Sequence, residues 1–246
     1  MDVQRRHLIG GAIASSMIAS MASAQDAQHP SQQPARRVVD PRATWFDMGP
    51  TDRPWRIFVG LPKITPPPGG YSLMVALDGN ATFPTLWDLR GPGERPTGGQ
   101  DAFLAMISDD LLPRLMRDLP IDRSDMTLYG HSLGGLFVLH ALFSRPDLFA
   151  RHVAADPSTW WNAGEMLREA AAFRGGVLAA GGRLTPARPL LIANAGARSP
   201  DILAPLSGLP GLDLIHRPHP DESHGSLIDP SLRQALDLHL GRLSGP

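Results

Sequence analysis

Cysteine is absent from the 246 residues, which excludes disulfides, thiolate metal sites and a thiol nucleophile. A charge excess is missing too: 23 Lys and Arg stand against 24 Asp and Glu, a formal net charge of -1. With no basic stripe to offset that balance, there is no electrostatic case for a nucleic-acid partner. No continuous apolar run approaches the about 20 residues that span a bilayer comfortably, and no internal repeat has a solenoid period. What is present suits one ordinary globular domain: 42% of residues are hydrophobic and 19% charged, enough apolar side chains for a sizeable core. Proline and glycine, 25 each, imply many turns.

Residues 1–24 read as an export signal. Arg5-Arg6 precedes a modestly apolar run over residues 8–21, and Ala22-Ser23-Ala24 is a small-x-small cleavage site. Gln4-Arg5-Arg6-His7-Leu8 resembles a twin-arginine signal. The expectation is an exported, periplasmic protein with no stable membrane insertion once the signal is removed. Residues 25–37, rich in Gln, Pro, Ala and His, read as a flexible leader, and 38–246 as the folded domain.

Within that domain, strand-like runs cover 44–47, 55–59, 71–77, 126–129, 152–155, 189–193 and 212–216. Helical spacing covers 100–119, where Pro113 should kink the helix, then 136–143, 165–173 up to an interruption at Gly175-Gly176, and 231–243. Residues 81–99 are punctuated by Pro84, Gly91-Pro92-Gly93, Pro96 and Gly98-Gly99 and read as mostly loop. Strands alternating with helices predict an α/β fold: a largely parallel central sheet with helices on both faces.

The chemistry centres on Gly130-His131-Ser132-Leu133-Gly134-Gly135, between an apolar strand and a long apolar helix. In a sharp strand-turn-helix the serine is held in strained backbone with its hydroxyl above the sheet, and the flanking glycines avoid a steric clash. Ser132 is therefore the candidate nucleophile, and the N–H of Leu133 a candidate oxyanion donor at a helix N-terminus. The second donor is expected from the turn Asp78-Gly79-Asn80-Ala81, taken here as Asn80.

A serine hydroxyl needs a base to take its proton, and nine histidines compete. His7 and His29 lie ahead of the domain, His140 reads as a satisfied core residue, and His131, directly before the serine, should point away from it. In a parallel sheet the loop after the last strand opens on the serine's edge, which selects His224 in Glu222-Ser223-His224-Gly225-Ser226 over His216 and His219. Metal binding by His216, His219 and His224 with Asp221 or Glu222 is the rival, at a spacing that matches no standard zinc site; no metal or cofactor is expected. A third, orienting carboxylate should follow strand 189–193 but no acid stands at its end. Asp201 is a candidate, Glu222 or Asp221 could reach the ring locally, and a Ser-His pair without an acid is equally consistent. Trp160-Trp161 offers flat apolar surface for an aromatic acyl group, or core packing.

Five stretches together resemble one family: Leu77-Asp78-Gly79-Asn80-Ala81, Gly98-Gly99-Gln100-Asp101-Ala102-Phe103-Leu104, the serine turn with its helix to Phe143, Pro157-Ser158-Thr159-Trp160-Trp161-Asn162, and Glu222 to Ser226. In this order they look like the periplasmic siderophore trilactone esterases, in the esterase-D-like branch of the α/β-hydrolases. The resemblance implies a serine esterase acting on a small-molecule ester, the trilactone of a ferric siderophore of the enterobactin or salmochelin kind. Ser132 and His224 would be its catalytic pair, and several members lack a clear carboxylate. Members usually carry a helix and a central strand where this chain has residues 81–99, so the α/β-hydrolase expected here is shortened between Asn80 and Gln100. The alternatives are an esterase for other aromatic or small acyl esters, and a non-catalytic binding protein that holds an aromatic ligand against Trp160 and Trp161.

Overall fold

A computed structural model describes residues 11–16, 43–49, 51, 55–77, 99–197 and 199–243. Arg5-Arg6, the cleavage site at Ala22-Ser23-Ala24, the leader 25–37, Asn80 and nearly all of the shortened segment lie outside the described residues. The strands are β1 (Gly11–Ser16), β2 (Ala43–Met48), β3 (Trp55–Gly60), β4 (Tyr71–Leu77), β5 (Ile121–His131), β6 (Arg151–Ala155), β7 (Arg188–Ala195) and β8 (Leu212–His219). They form one sheet in the order β2-β3-β1-β4-β5-β6-β7-β8. From β1 through β8 each neighbouring pair is parallel, while β2 and β3 form an antiparallel end joined to β1. All seven expected strand runs lie inside observed strands, and the α/β-hydrolase architecture follows.

β1 has no counterpart among the expected strands, because Gly11–Ser16 falls in the stretch read as an export signal. It lies antiparallel to β3 from Gly11↔Gly60 to Ser16↔Trp55 and parallel to β4 from Gly11↔Met74 to Ala14↔Leu77. In that slot its backbone supplies partners to the facing edges of two strands, edges that would otherwise present unpaired N–H and C=O groups.

The parallel register matters most for function. Leu77 pairs with Gly130, His131 with Ala155 and Ala155 with Ala193, and Ala195 pairs with His219. The carboxyl ends of β4 to β8 thus reach one edge of the sheet, and the residues that follow them share it.

Alternation of side chains splits the core. Leu73, Val75, Leu128, Ala154, Leu190 and Ile192 face one side, where α1 (Gly99–Ala105), α2 (Leu112–Asp118), α3 (Leu133–Ser144) and α4 (Trp161–Ala179) contribute to the same cluster. Met74, Tyr129, Val153, Leu191 and Ile215 face the other, covered by Ala235 and Leu238 of α6 (Ile228–His239). The short α5 (Leu203–Leu206) packs against α4. From Gly134 to Leu142 every residue of α3 is buried, which explains why its sequence shows no amphipathic stripe.

Two expectations about helix breaks change. Pro113 does not interrupt the helix: residues 99–118 stay helical, and a π-helical turn over Met106–Leu111 runs up to it. The looser π turn spares the proline ring the clash with the carbonyl four residues back. Gly175-Gly176 likewise lies inside α4. The non-helical residues are instead at its start, where Asn162, Ala163 and Gly164 have φ of 49, 53 and 71°.

Gly175 and Gly176 are exposed, and a Cβ at either would meet nothing within 4 Å. Replacing a helical glycine with alanine gains about 0.5–1 kcal/mol. Gly175→Ala and Gly176→Ala are therefore each expected to raise the unfolding free energy by about that amount in urea titration; a loss of stability would contradict the helical assignment.

Candidate active site

Ser132 stands between β5 and α3 with φ 60° and ψ −116°, a conformation that a non-glycine residue holds only when its surroundings enforce it. The enforcement is visible. Its N–H donates to the Ala155 carbonyl at 2.8 Å, and its own carbonyl accepts from the N–H groups of Leu136 at 3.0 Å and Ser158 at 3.1 Å. A Cβ on Gly130 would lie 2.2 Å from the Gly134 carbonyl oxygen, and one on Gly135 would lie 2.9 Å from that of Ala155. Neither approach tolerates a side chain, so the glycines are required by the tightness of the turn.

The serine hydroxyl does not cap α3. Its Oγ lies 3.0 Å from His224 Nε2 and 3.2 Å from Ser158 Oγ. Across the ring, His224 Nδ1 lies 2.5 Å from Asp156 Oδ2. The carboxylate can only accept, so Nδ1 carries the proton and Nε2 is free to accept the one from Ser132. Ser132 then has no proton left for Ser158, whose hydroxyl donates instead. The N–H of Leu133, first residue of α3, belongs to the helix start that lacks intrahelical partners.

Asp156 directly follows β6 with φ 41°, a left-handed conformation that aspartate tolerates better than most residues. Its N–H donates to the Ala193 carbonyl at 2.6 Å, and its Oδ1 accepts from the Ala195 N–H at 3.3 Å. Burial works against its ionisation, but the hydrogen bond and charge of His224, the Ala195 N–H and the charge of His131 outweigh it. The carboxyl is held below the usual aspartate range.

The acid partner of His224 is thus neither Asp201 nor Glu222. Glu222 accepts from the Ser226 hydroxyl inside its own loop, and Asp201 lies just ahead of α5. The carboxylate beside the ring follows β6, one strand earlier than the β7 end at which the sequence places it. Asp156 stands at the end of a strand expected from the sequence, at the same edge as Ser132, and that position was the available signal. Ser158 carried no comparable signal.

The other histidines separate cleanly. His216 Nε2 lies 2.6 Å from buried Asn194 Oδ1, and His219 Nε2 lies 3.2 Å from Gln234 Oε1. Neither joins His224, and no cluster of three or more metal-ligating side chains occurs among the described residues. His131 does not point away from the site: its ring lies 4.5 Å from that of His224, and its Nε2 is 2.7 Å from the His224 carbonyl oxygen. Trp160 is 72% exposed, whereas Trp161 packs partly buried against the core. Their rings meet edge to face at 5.9 Å. The pair divides its roles, Trp161 as core and Trp160 as free surface four residues beyond Asp156.

Comparisons with known proteins find esterases. A family model described as an esterase matches residues 87–176. The ferri-bacillibactin esterase BesA of Bacillus subtilis is 30% identical over 45% of this chain and 56% of its own. The apo-salmochelin esterase of Escherichia coli O6:H1 is 27% identical over 47% of this chain and 50% of its own. The chain therefore spans about half the length of these curated relatives. Among solved structures, the BES protein from Bacillus cereus superposes with a TM-score of 0.67 at 20% identity, over 83% of this chain and 98% of that one. The chain has the α/β-hydrolase fold, and in sequence it resembles esterases named for siderophores.

Proposed function

We propose that this protein is a serine esterase that hydrolyses carboxylic ester bonds, with siderophore trilactones of the enterobactin or salmochelin kind as its substrates. The observation that carries this reading is the continuous relay from Ser132 through His224 to Asp156, with separations of 3.0 and 2.5 Å. The similarity to relatives named as siderophore esterases supports the substrate class.

In the proposed reaction Ser132 Oγ attacks the ester carbonyl while His224 Nε2 takes its proton, and Asp156 stabilises the resulting imidazolium and keeps its orientation. The developing oxyanion meets the Leu133 N–H, with a second donor from the Asn80 turn. His224 returns its proton to the leaving alcohol. The acyl-enzyme is then cleaved by water whose proton passes to His224, and Ser132 is regenerated. Trp160, exposed beside the β6 end, is suited to hold a flat aromatic acyl group.

We further propose export to the periplasm, supported by Arg5-Arg6, the modest apolar run and Ala22-Ser23-Ala24. Among the described residues no helix is long and apolar enough to cross a membrane. Because Gly11–Ser16 fills a slot in the sheet, removal of the export signal would require another segment or partner to complete it. Intact-mass analysis of protein recovered from the periplasmic fraction is expected to give a chain beginning at Gln25; retention in the cytoplasm would sink the export proposal.

The purified protein is expected to turn over p-nitrophenyl esters and to form a fluorophosphonate adduct located on Ser132 by peptide mass spectrometry, both lost in Ser132→Ala. Tight ligand binding without an adduct would instead indicate a non-catalytic binder. Asp156→Asn is expected to lower kcat by about 10³-fold or more, through loss of the correct imidazole tautomer. Glu222→Gln and Asp201→Asn should change it less than about twofold, as residues outside the relay; the reverse ranking would unseat Asp156.

A further inference from the structure

His224 sits on a loop with little to hold it. Its side chain is 52% exposed, and the loop's other bonds are local: Ser226 Oγ links Ser223 and Glu222, and the Glu222 N–H reaches only the His219 carbonyl. A base on such a loop needs its main chain fixed, since a misplacement of about 1 Å can cost about 100-fold in rate. Three bonds run from His224 into the sheet edge. Two, to Ser132 and Asp156, belong to the imidazole and change as the reaction proceeds. The third joins the His224 carbonyl oxygen to His131 Nε2 at 2.7 Å.

We infer that His131 is a positioning residue for the reaction: its Nε2–H donates to the His224 carbonyl and clamps the loop, while its ring supports that of His224. A carbonyl oxygen only accepts, so the proton must sit on Nε2 of His131. The ring is buried and comes from the last residue of β5, a rigid central strand. It is covalently next to Ser132, so one short segment fixes both nucleophile and base. The ring centroids of His131 and His224 are 4.5 Å apart with planes tilted by 42°, which limits tipping of the imidazole toward solvent. The bond to the carbonyl, unlike those to the ring, is unaffected when His224 gains or loses a proton, so the clamp holds through the cycle.

This inference rests on the esterase reading, and the test separates the two. His131→Phe keeps a flat buried ring but removes the donor, whereas His131→Gln places an amide N–H near the position of Nε2. With a p-nitrophenyl ester, His131→Phe is expected to lose about 10- to 100-fold in kcat, with KM within about twofold, and His131→Gln to recover most of that loss. Fluorophosphonate labelling of Ser132 should slow in parallel, and amide exchange across 221–226 should speed up in His131→Phe. A wild-type protein that fails to label refutes the esterase reading. A wild type that labels, beside a folded His131→Phe with unchanged kcat and labelling rate, overturns the clamp. Should His131→Phe not fold, nitrogen NMR of the wild type decides: the clamp requires the Nε2–H tautomer of His131, and an Nδ1–H tautomer overturns it.

Discussion

The site depends on a contact that only hydrogen can make. At Gly130 a Cβ would lie 2.2 Å from the Gly134 carbonyl oxygen, so the chain can turn from β5 into α3 with the two backbones nearly touching. That tightness puts Ser132 into left-handed backbone, and the strain is held by three main-chain hydrogen bonds to β6, to the following loop and to α3. The same bonds draw the loop after β6 against the turn, which brings Ser158 and Asp156 to the serine's edge. A looser turn would release the serine and separate it from the acid together.

Burial sorts the chain's histidines by task. His152, fully buried in β6, has no hydrogen-bond partner for either ring nitrogen, and burial, with the charge of Arg188 adding, pushes it down to about 3. It stays neutral in the folded protein while the unfolded chain takes up a proton below about 6.5, so it subtracts stability as pH falls from there toward 3. His140 in α3 is also buried, but it lies 3.0 Å from Glu169 of α4 and 2.9 Å from Asp101 of α1. Burial opposes its charging, yet the two carboxylates outweigh it and raise its pKa. The stability it lends is present below about 6.5 and fades as pH rises through the raised folded value. One residue makes the core acid-sensitive and the other ties three helices together on the acid side.

Most of this was legible in the sequence because the signals were local. The continuous apolar run over 71–77, the short one over 126–129 and the glycine-flanked serine each reflect forces acting within a few residues. His224 was found from topology alone, by asking which loops open at the carboxyl edge. Asp156 was missed because an acid at a strand end looks like any turn residue until the register of β5, β6 and β7 aligns their ends. The place of His131 is hidden for the related reason that alternation along a strand predicts which face a side chain takes, not what a distant loop will bring to it. Gly11–Ser16 was unreadable as a strand because its composition serves an export signal equally well, and only the open positions beside β3 and β4 give it a place.

The electrostatics of the relay fit a site worked at its edge. The side chain of Asp156 is 25% exposed and that of His224 52%, so solvent screens the pair and burial alone cannot hold the base in line. Neighbours must do that, and they come from fixed elements: the Ala195 N–H from β7 on one carboxylate oxygen, and His131 from β5 on the loop main chain. The edge stays open to solvent, with Trp160 exposed, while rigidity on the sheet side keeps the relay within hydrogen-bond reach. A relay buried enough to orient itself would close that edge, and one without anchors in the sheet would lose the alignment that proton transfer requires.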